Sequence, residues 1–177
     1  MTRPPAGSRE PQADRSLLVI GVGNPDRGDD GAGLAVVRRL RGRVGPAVRL
    51  LEVRSNVSRL IDGWDGSDAV VLVDATSSGL PPGTVRRFDV TAAPLPVRAF
   101  HGGSTHGFGV AEVVEVARAL GRLPRRLIVY GIEGARFGRE KGLSTPVAAA
   151  VRDVAGSLEQ VRAMMFPISR VRPKGSR

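Results

Sequence analysis

The sequence predicts an α/β fold. It reads as a three-layer sandwich: a twisted, mostly parallel five-stranded sheet with helices on both faces and room for one antiparallel edge strand. Three observations carry this. Short, continuous apolar runs such as SLLVI, VVLV and LIVY recur, as strands buried on both faces do. Longer stretches with apolar residues at helical spacing separate them. Strand-like and helix-like segments alternate along one chain, and such alternation builds a parallel sheet covered on both sides.

The elements follow in order. Residues 1–15 are rich in Pro, Gly and charge and are expected to be a disordered tail. SLLVIGVG (16–23) reads as a buried strand. DGAGLAVVRRLRGRV (30–44) reads as a helix with Leu34, Val37 and Leu40 on its apolar side. AVRLLEV (47–53) is a second strand, VSRLIDGW (57–64) a short helix and AVVLVDA (69–75) a third strand. SGLPPG (78–83) turns the chain through its Gly and Pro content. TVRRFDV (84–90) alternates polar and apolar residues, as an edge strand does. A long loop, TAAPLPVRAFHGGST (91–105), leads into HGFGVAEVVEVARALG (106–121), expected to be helical and to stop at Gly121. RRLIVYGIEG (125–134) is the last strand. STPVAAAVRDVAGSLEQVRAMM (144–165) is the closing helix, with Ser144 or Thr145 as cap and Pro146 in its first turn. One domain is thus expected over 16–165, followed by a basic tail over 166–177.

Composition narrows the function classes. A chain of 177 residues can bury one substantial core without disulfides. It has no cysteine, which excludes a disulfide framework, a Cys-based metal knuckle and a cysteine nucleophile. MTRPPAGSREPQADR has no apolar core of a secretory signal, and no apolar run reaches the length of a membrane span. A soluble, cytoplasmic monomer is expected. The net charge of +10 invites a nucleic-acid reading. However, the charges are spread along the chain except in the tail, and aromatics are only 4%, too few to stack bases. No nucleic-acid or membrane partner is expected, whereas an acidic partner protein suits the charge.

The loop GVGNPDRGDDGAG, Gly21–Gly33, resembles a phosphate cradle at first sight. A dinucleotide fingerprint needs a third glycine where Asp26 stands. A Walker loop needs Lys and Ser or Thr where Asp29 and Asp30 stand, and two carboxylates repel a phosphate. Asp29 is read as a helix cap. Asp30 is read either as part of that helix start or as a ligand.

In a parallel α/β sheet, ligands bind beyond the carboxyl ends of the strands. That rule selects Asp30 after the first strand, Asp74 at the end of the third and His106 at the end of the long loop. Asp74 follows an apolar run, where a carboxylate needs a cation, a metal or backbone N–H groups, or else caps a turn. His101, flanked by glycine, competes with His106 for any role. Two carboxylates and an imidazole suit a divalent cation with open coordination positions.

These residues resemble the hydrogenase maturation proteases. The resemblance runs through GVGNPDRGDDGAG, VVLVDATSSGLPPGTVRRFD, STHGFGVAEVVEVARALGRLP and VYGIEG…GLSTPVAAAV, in collinear order over about residues 17–163. The G-N-x4-D-[D/E]-G-x-G loop is its most specific part. The resemblance implies an aspartic-type endopeptidase that trims the C-terminus of the nickel-loaded large-subunit precursor of a NiFe hydrogenase. It implies Asp30, Asp74 and His106 as metal positions reading the substrate's nickel. One carboxylate, Asp30 or Asp74, is then expected to orient or deprotonate the attacking water, with a metal-polarised carbonyl or water as the competing mechanism. Alternatives are a non-catalytic α/β module binding metal or nucleotide, and a peptidase of this architecture with another protein substrate. One departure bears on the substrate. Where the family usually has an acidic residue followed by Gly-Gly-Thr or Gly-Gly-Ser, this chain has VRSNVSR, so Arg54 and Asn56 crowd and charge that region.

Overall fold

The computed structural model describes residues 17–54, 59–96, 100 and 109–165. The two expected tails, His101 and His106 lie outside them. Strands β1 (Leu17–Val22), β2 (Val48–Val53), β3 (Ala69–Thr76) and β5 (Arg126–Glu133) run parallel, and β4 (Val85–Asp89) pairs antiparallel with β5. Their order across the sheet is β2-β1-β3-β5-β4. This is the expected mostly parallel sheet with one antiparallel edge strand. β1 and β3 read as unbroken apolar runs because both lie inside the sheet with a helical layer on each side. The alternating TVRRFDV segment is the β4 edge.

Side-chain alternation divides the core into two layers. Leu17 and Val19 of β1 and Val71 and Val73 of β3 pack under α1 (Ala32–Leu40) and α4 (Thr145–Met165), against Val36, Val37, Val147 and Val151. Leu18 and Ile20 of β1 and Val70 and Leu72 of β3 pack under α2 (Leu60–Gly63) and α3 (Val110–Ala119), against Leu60, Trp64, Val110 and Val114. Each fully buried Leu or Ile contributes roughly 1.5–3 kcal/mol of hydrophobic free energy. Trp64, buried among these residues, donates its indole N–H to the Arg122 carbonyl at 3.1 Å, which fixes α2 against the end of α3.

Helix boundaries differ from expectation at three points. The helix expected over 30–44 starts as a 3-10 turn at Gly28–Gly31, continues as α1 and stops by Gly42 at φ +73°, a conformation that favours glycine. The short helix expected over 57–64 is four residues long, Leu60–Gly63. The helix expected from 106 begins at Val110, with Gly109 extended at φ −80° and ψ −178° as its N-cap. Gly109 sets that start, and residues 101–108 lie outside the described residues.

From β1 the chain moves outward to β2 on one side and returns to β3 on the other. The carboxyl ends of β1 and β3 therefore flank the point where the strand order reverses, the place where such sheets open a crevice.

Candidate active site at the rim of the sheet

The loop after β1 folds tightly because glycine permits it. Gly23 sits at φ +139°, and a Cβ on it would come within 1.8 Å of the Asp30 carbonyl oxygen. At Gly33 a Cβ would lie 2.2 Å from the Val73 carbonyl oxygen and 2.4 Å from that of Val22. The first turn of α1 is thus pressed onto the ends of β1 and β3. These glycines serve close backbone packing, not a phosphate.

Among the described carboxylates at this rim, hydrogen bonds sort Asp29, Glu133, Asp30 and Asp74. Asp29 is fully buried. It accepts N–H groups from Ala135 at 2.9 Å, Arg136 at 3.0 Å and Ser144 at 2.6 Å, and the Ser144 hydroxyl at 2.9 Å. Burial works against its charge, but these donors together hold its carboxyl below the usual range. The expectation that Asp29 caps the helix is therefore wrong. The side chain turns away from α1 and ties the loop before α4 to the loop after β1. The α1 N-cap is Gly31, which makes no side-chain cap bond. Ser144 stands at the start of α4 as expected, its carbonyl accepting the Ala148 N–H, but its hydroxyl serves Asp29.

Glu133, at the end of β5, is the second such group and was not singled out from sequence. It accepts the Thr76 hydroxyl at 2.7 Å, the Ser78 N–H at 2.5 Å and hydroxyl at 2.9 Å, and the N–H groups of Gly79 at 2.8 Å and Leu80 at 3.2 Å. These bonds overcome burial and lower its pKa. The signal was available, because a carboxylate after the apolar run LIVYGI raises the same question as Asp74.

Asp30 and Asp74 differ. Among the described residues each accepts one N–H: Asp30 from Asn24 at 3.1 Å, and Asp74 from the adjacent Ala75 at 2.9 Å. A carboxylate has about four acceptor sites, so both retain open lone pairs. Asp74 lies on the β3 face that carries α3, level with Gly131 of β5. Burial, then repulsion from the Asp30 carboxylate, pushes its pKa up to about 8. Burial also raises that of Asp30, against the pull of the Arg27 guanidinium and the Asn24 N–H. The structure thus brings two of the three sequence-selected groups together as a desolvated, mutually repelling pair. Among the described residues no group of three His, Asp or Glu is placed to hold a metal. Arg54, which carries the sequence departure, is exposed just past β2, in a groove shared with Glu52, Arg59 and Asp62.

Comparison with known proteins adds to this geometry. The model of the hydrogenase maturation protease family matches residues 34–161, a span that contains Asp74 and His106 and begins just after Asp30. The hydrogenase expression/formation protein HupD of Thiocapsa roseopersicina is 32% identical over 69% of this chain, and the match spans 56% of that protein's length. HupD of Rhodobacter capsulatus is 29% identical over 87% of this chain and 75% of its own length. Among solved structures, the hydrogenase maturating endopeptidase HybD from E. coli superposes with a TM-score of 0.72, covering 85% of this chain and 94% of that one at 24% identity, and so supports the fold.

Proposed function

The chain belongs to the hydrogenase maturation protease family, and from that premise we propose that it is an endopeptidase that removes the C-terminal extension of a nickel-loaded NiFe hydrogenase large-subunit precursor. The observation that supports this most is the Asp30–Asp74 pair, open to a ligand at the switch point of the sheet. Two carboxylates that desolvate and repel each other gain from a cation placed between them. The substrate's nickel is that cation in this reading, with His106 supplying an imidazole. A peptide held there by its own metal has its scissile carbonyl beside the carboxylates. One of them, Asp30 or Asp74, takes a proton from water as the oxygen attacks the carbonyl carbon, and a proton passes to the leaving amine as the C–N bond breaks. Polarisation of that water or carbonyl by the substrate's nickel is the competing route.

The test is cleavage of a nickel-loaded precursor, followed by the mass loss of the product. Asp30→Asn, Asp74→Asn and His106→Ala are each expected to slow cleavage by roughly 100-fold or more while the protein stays folded. Full activity in both Asp30→Asn and His106→Ala overturns the assignment. The segment VRSNVSR, standing where the family usually has an acidic residue followed by Gly-Gly-Thr or Gly-Gly-Ser, bears on which precursor is processed.

A further inference from the structure

Beside the Asp30 loop lies a second feature that the cleavage chemistry does not use. A cleft of about 730 Å³ separates the loop after β1 from the loop that precedes α4. Asn24, Asp26 and Arg27 form one wall, and Phe137, Arg139, Glu140 and Lys141 form the other. Both walls are held in place. Gly28 donates its N–H to the Glu140 carbonyl at 2.7 Å, Asp29 donates its N–H to the Arg136 carbonyl at 2.8 Å, and the Arg27 guanidinium donates to the Phe137 carbonyl at 3.3 Å. A cleft built on such bonds needs little ordering when a ligand enters.

Its charge is uneven. Glu140 is paired with Arg136 at 3.2 Å and Arg27 acts on Asp30 and the Phe137 carbonyl, which leaves Arg139 and Lys141 in the cleft with one further carboxylate, Asp26. Arg139 and Lys141 are exposed, and among the described residues neither makes an ion pair. The cleft also adjoins the candidate site directly, because its Asn24 wall donates an N–H to the Asp30 carboxylate at 3.1 Å. A peptide advances about 3.3–3.6 Å per extended residue, so a chain lying across Asp30 reaches the cleft within a few residues.

We propose that this cleft docks an acidic segment of the peptide substrate next to the scissile bond, with Arg139 and Lys141 contacting its side-chain carboxylates. The proposal rests on the peptidase reading for its substrate, but its central measurement does not. In that measurement a fluorescein-labelled decapeptide of alternating Glu and Ala, and its Gln counterpart, are titrated with the full chain and followed by anisotropy. The Arg139→Glu/Lys141→Glu double variant is compared with Arg49→Glu/Arg152→Glu, which changes net charge equally at exposed positions outside the cleft. The acidic peptide is expected to bind better than the Gln peptide. Its affinity is expected to drop roughly tenfold in the cleft variant and much less in the remote one, the size two surface charge contacts can supply. With the nickel-loaded precursor, the cleft variant is expected to raise KM with kcat unchanged. Equal loss in both double variants means that net charge alone attracts the peptide, and overturns the docking site. So does equal binding of the two peptides, or a fall in kcat at constant KM. Absence of precursor cleavage by the parent protein, with the peptide result intact, removes the peptidase reading and leaves the cleft.

Discussion

At the scale of single residues, adjacent carboxylates of the same type take opposite roles, and hydrogen-bond supply decides which. Asp29 and Glu133 spend their lone pairs on protein donors and act as clamps, whereas Asp30 and Asp74 keep theirs open. Glu133 gives a measurable consequence. Its pKa is lowered in the folded state by the Thr76 and Ser78 hydroxyls and by the backbone N–H groups of Ser78 and Gly79. A carboxylate with a lowered folded pKa stabilises the fold above its unfolded value, near 4.5 for Glu, and that contribution fades as pH falls through the folded value. Glu133→Gln is expected to cost about 2–4 kcal/mol at pH 7, because hydrogen bonds to a charged group are lost and an amide NH₂ meets donors. The gap from the parent should shrink at an acidic pH well below 4.5, once the parent's own carboxyl takes up its proton. Urea unfolding at both pH values checks it, and a gap that stays constant would show that the charge is not what holds the β3–β4 turn. The same contrast explains what was legible at this scale. Strand-end position marked Asp74 and Asp30. Nothing local distinguished Asp29 from a cap, because its donors Ala135, Arg136 and Ser144 lie more than a hundred residues away in the chain.

At the scale of elements, the sheet was legible and the helix starts were not. Unbroken apolar runs marked β1, β3 and β5 because those strands are buried on both faces, and alternation marked β4 as an edge. Helix starts depend on where glycines allow the backbone to leave the helix, and apolar spacing does not report that, as Gly109 shows at α3. The join between β1 and α1 is where such glycines matter most. Gly33→Ala would drive a methyl group into the Val73 and Val22 carbonyl oxygens, both backbone atoms that cannot swing aside. The start of α1 must then lift off the sheet and take Asp30 with it. The expected outcome is a loss of several kcal/mol and of peptidase activity together. Gly42→Ala is the control, since nothing lies within 4 Å of its Cβ and only the φ of +73° opposes alanine, at a cost of about 1 kcal/mol with activity kept. Comparable losses in the two variants would show that the tight join does not govern the site.

At the scale of the whole molecule, charge is the property the fold leaves unused. The net charge of +10 stabilises nothing inside an α/β sandwich and tends to expand it by self-repulsion. Its value lies in encounter, since opposite charge on a partner raises the rate of docking while leaving the chemical step alone. Arg170, Arg172, Lys174 and Arg177 concentrate part of that charge in the C-terminal segment, which has no acidic residue to offset them. Interactions between exposed charges are screened beyond about 10 Å at 0.1 M salt and beyond about 3 Å at 1 M. Cleavage of the precursor at concentrations well below KM is therefore expected to slow several-fold between low and high salt, whereas kcat measured at saturating precursor should hold. Removing residues 166–177 should flatten that salt dependence and leave kcat intact, because the segment supplies none of the residues assigned to cleavage. Turnover that ignores salt in both regimes would mean that the precursor is recognised through its nickel and local contacts alone, and that the excess of arginine has no part in finding it.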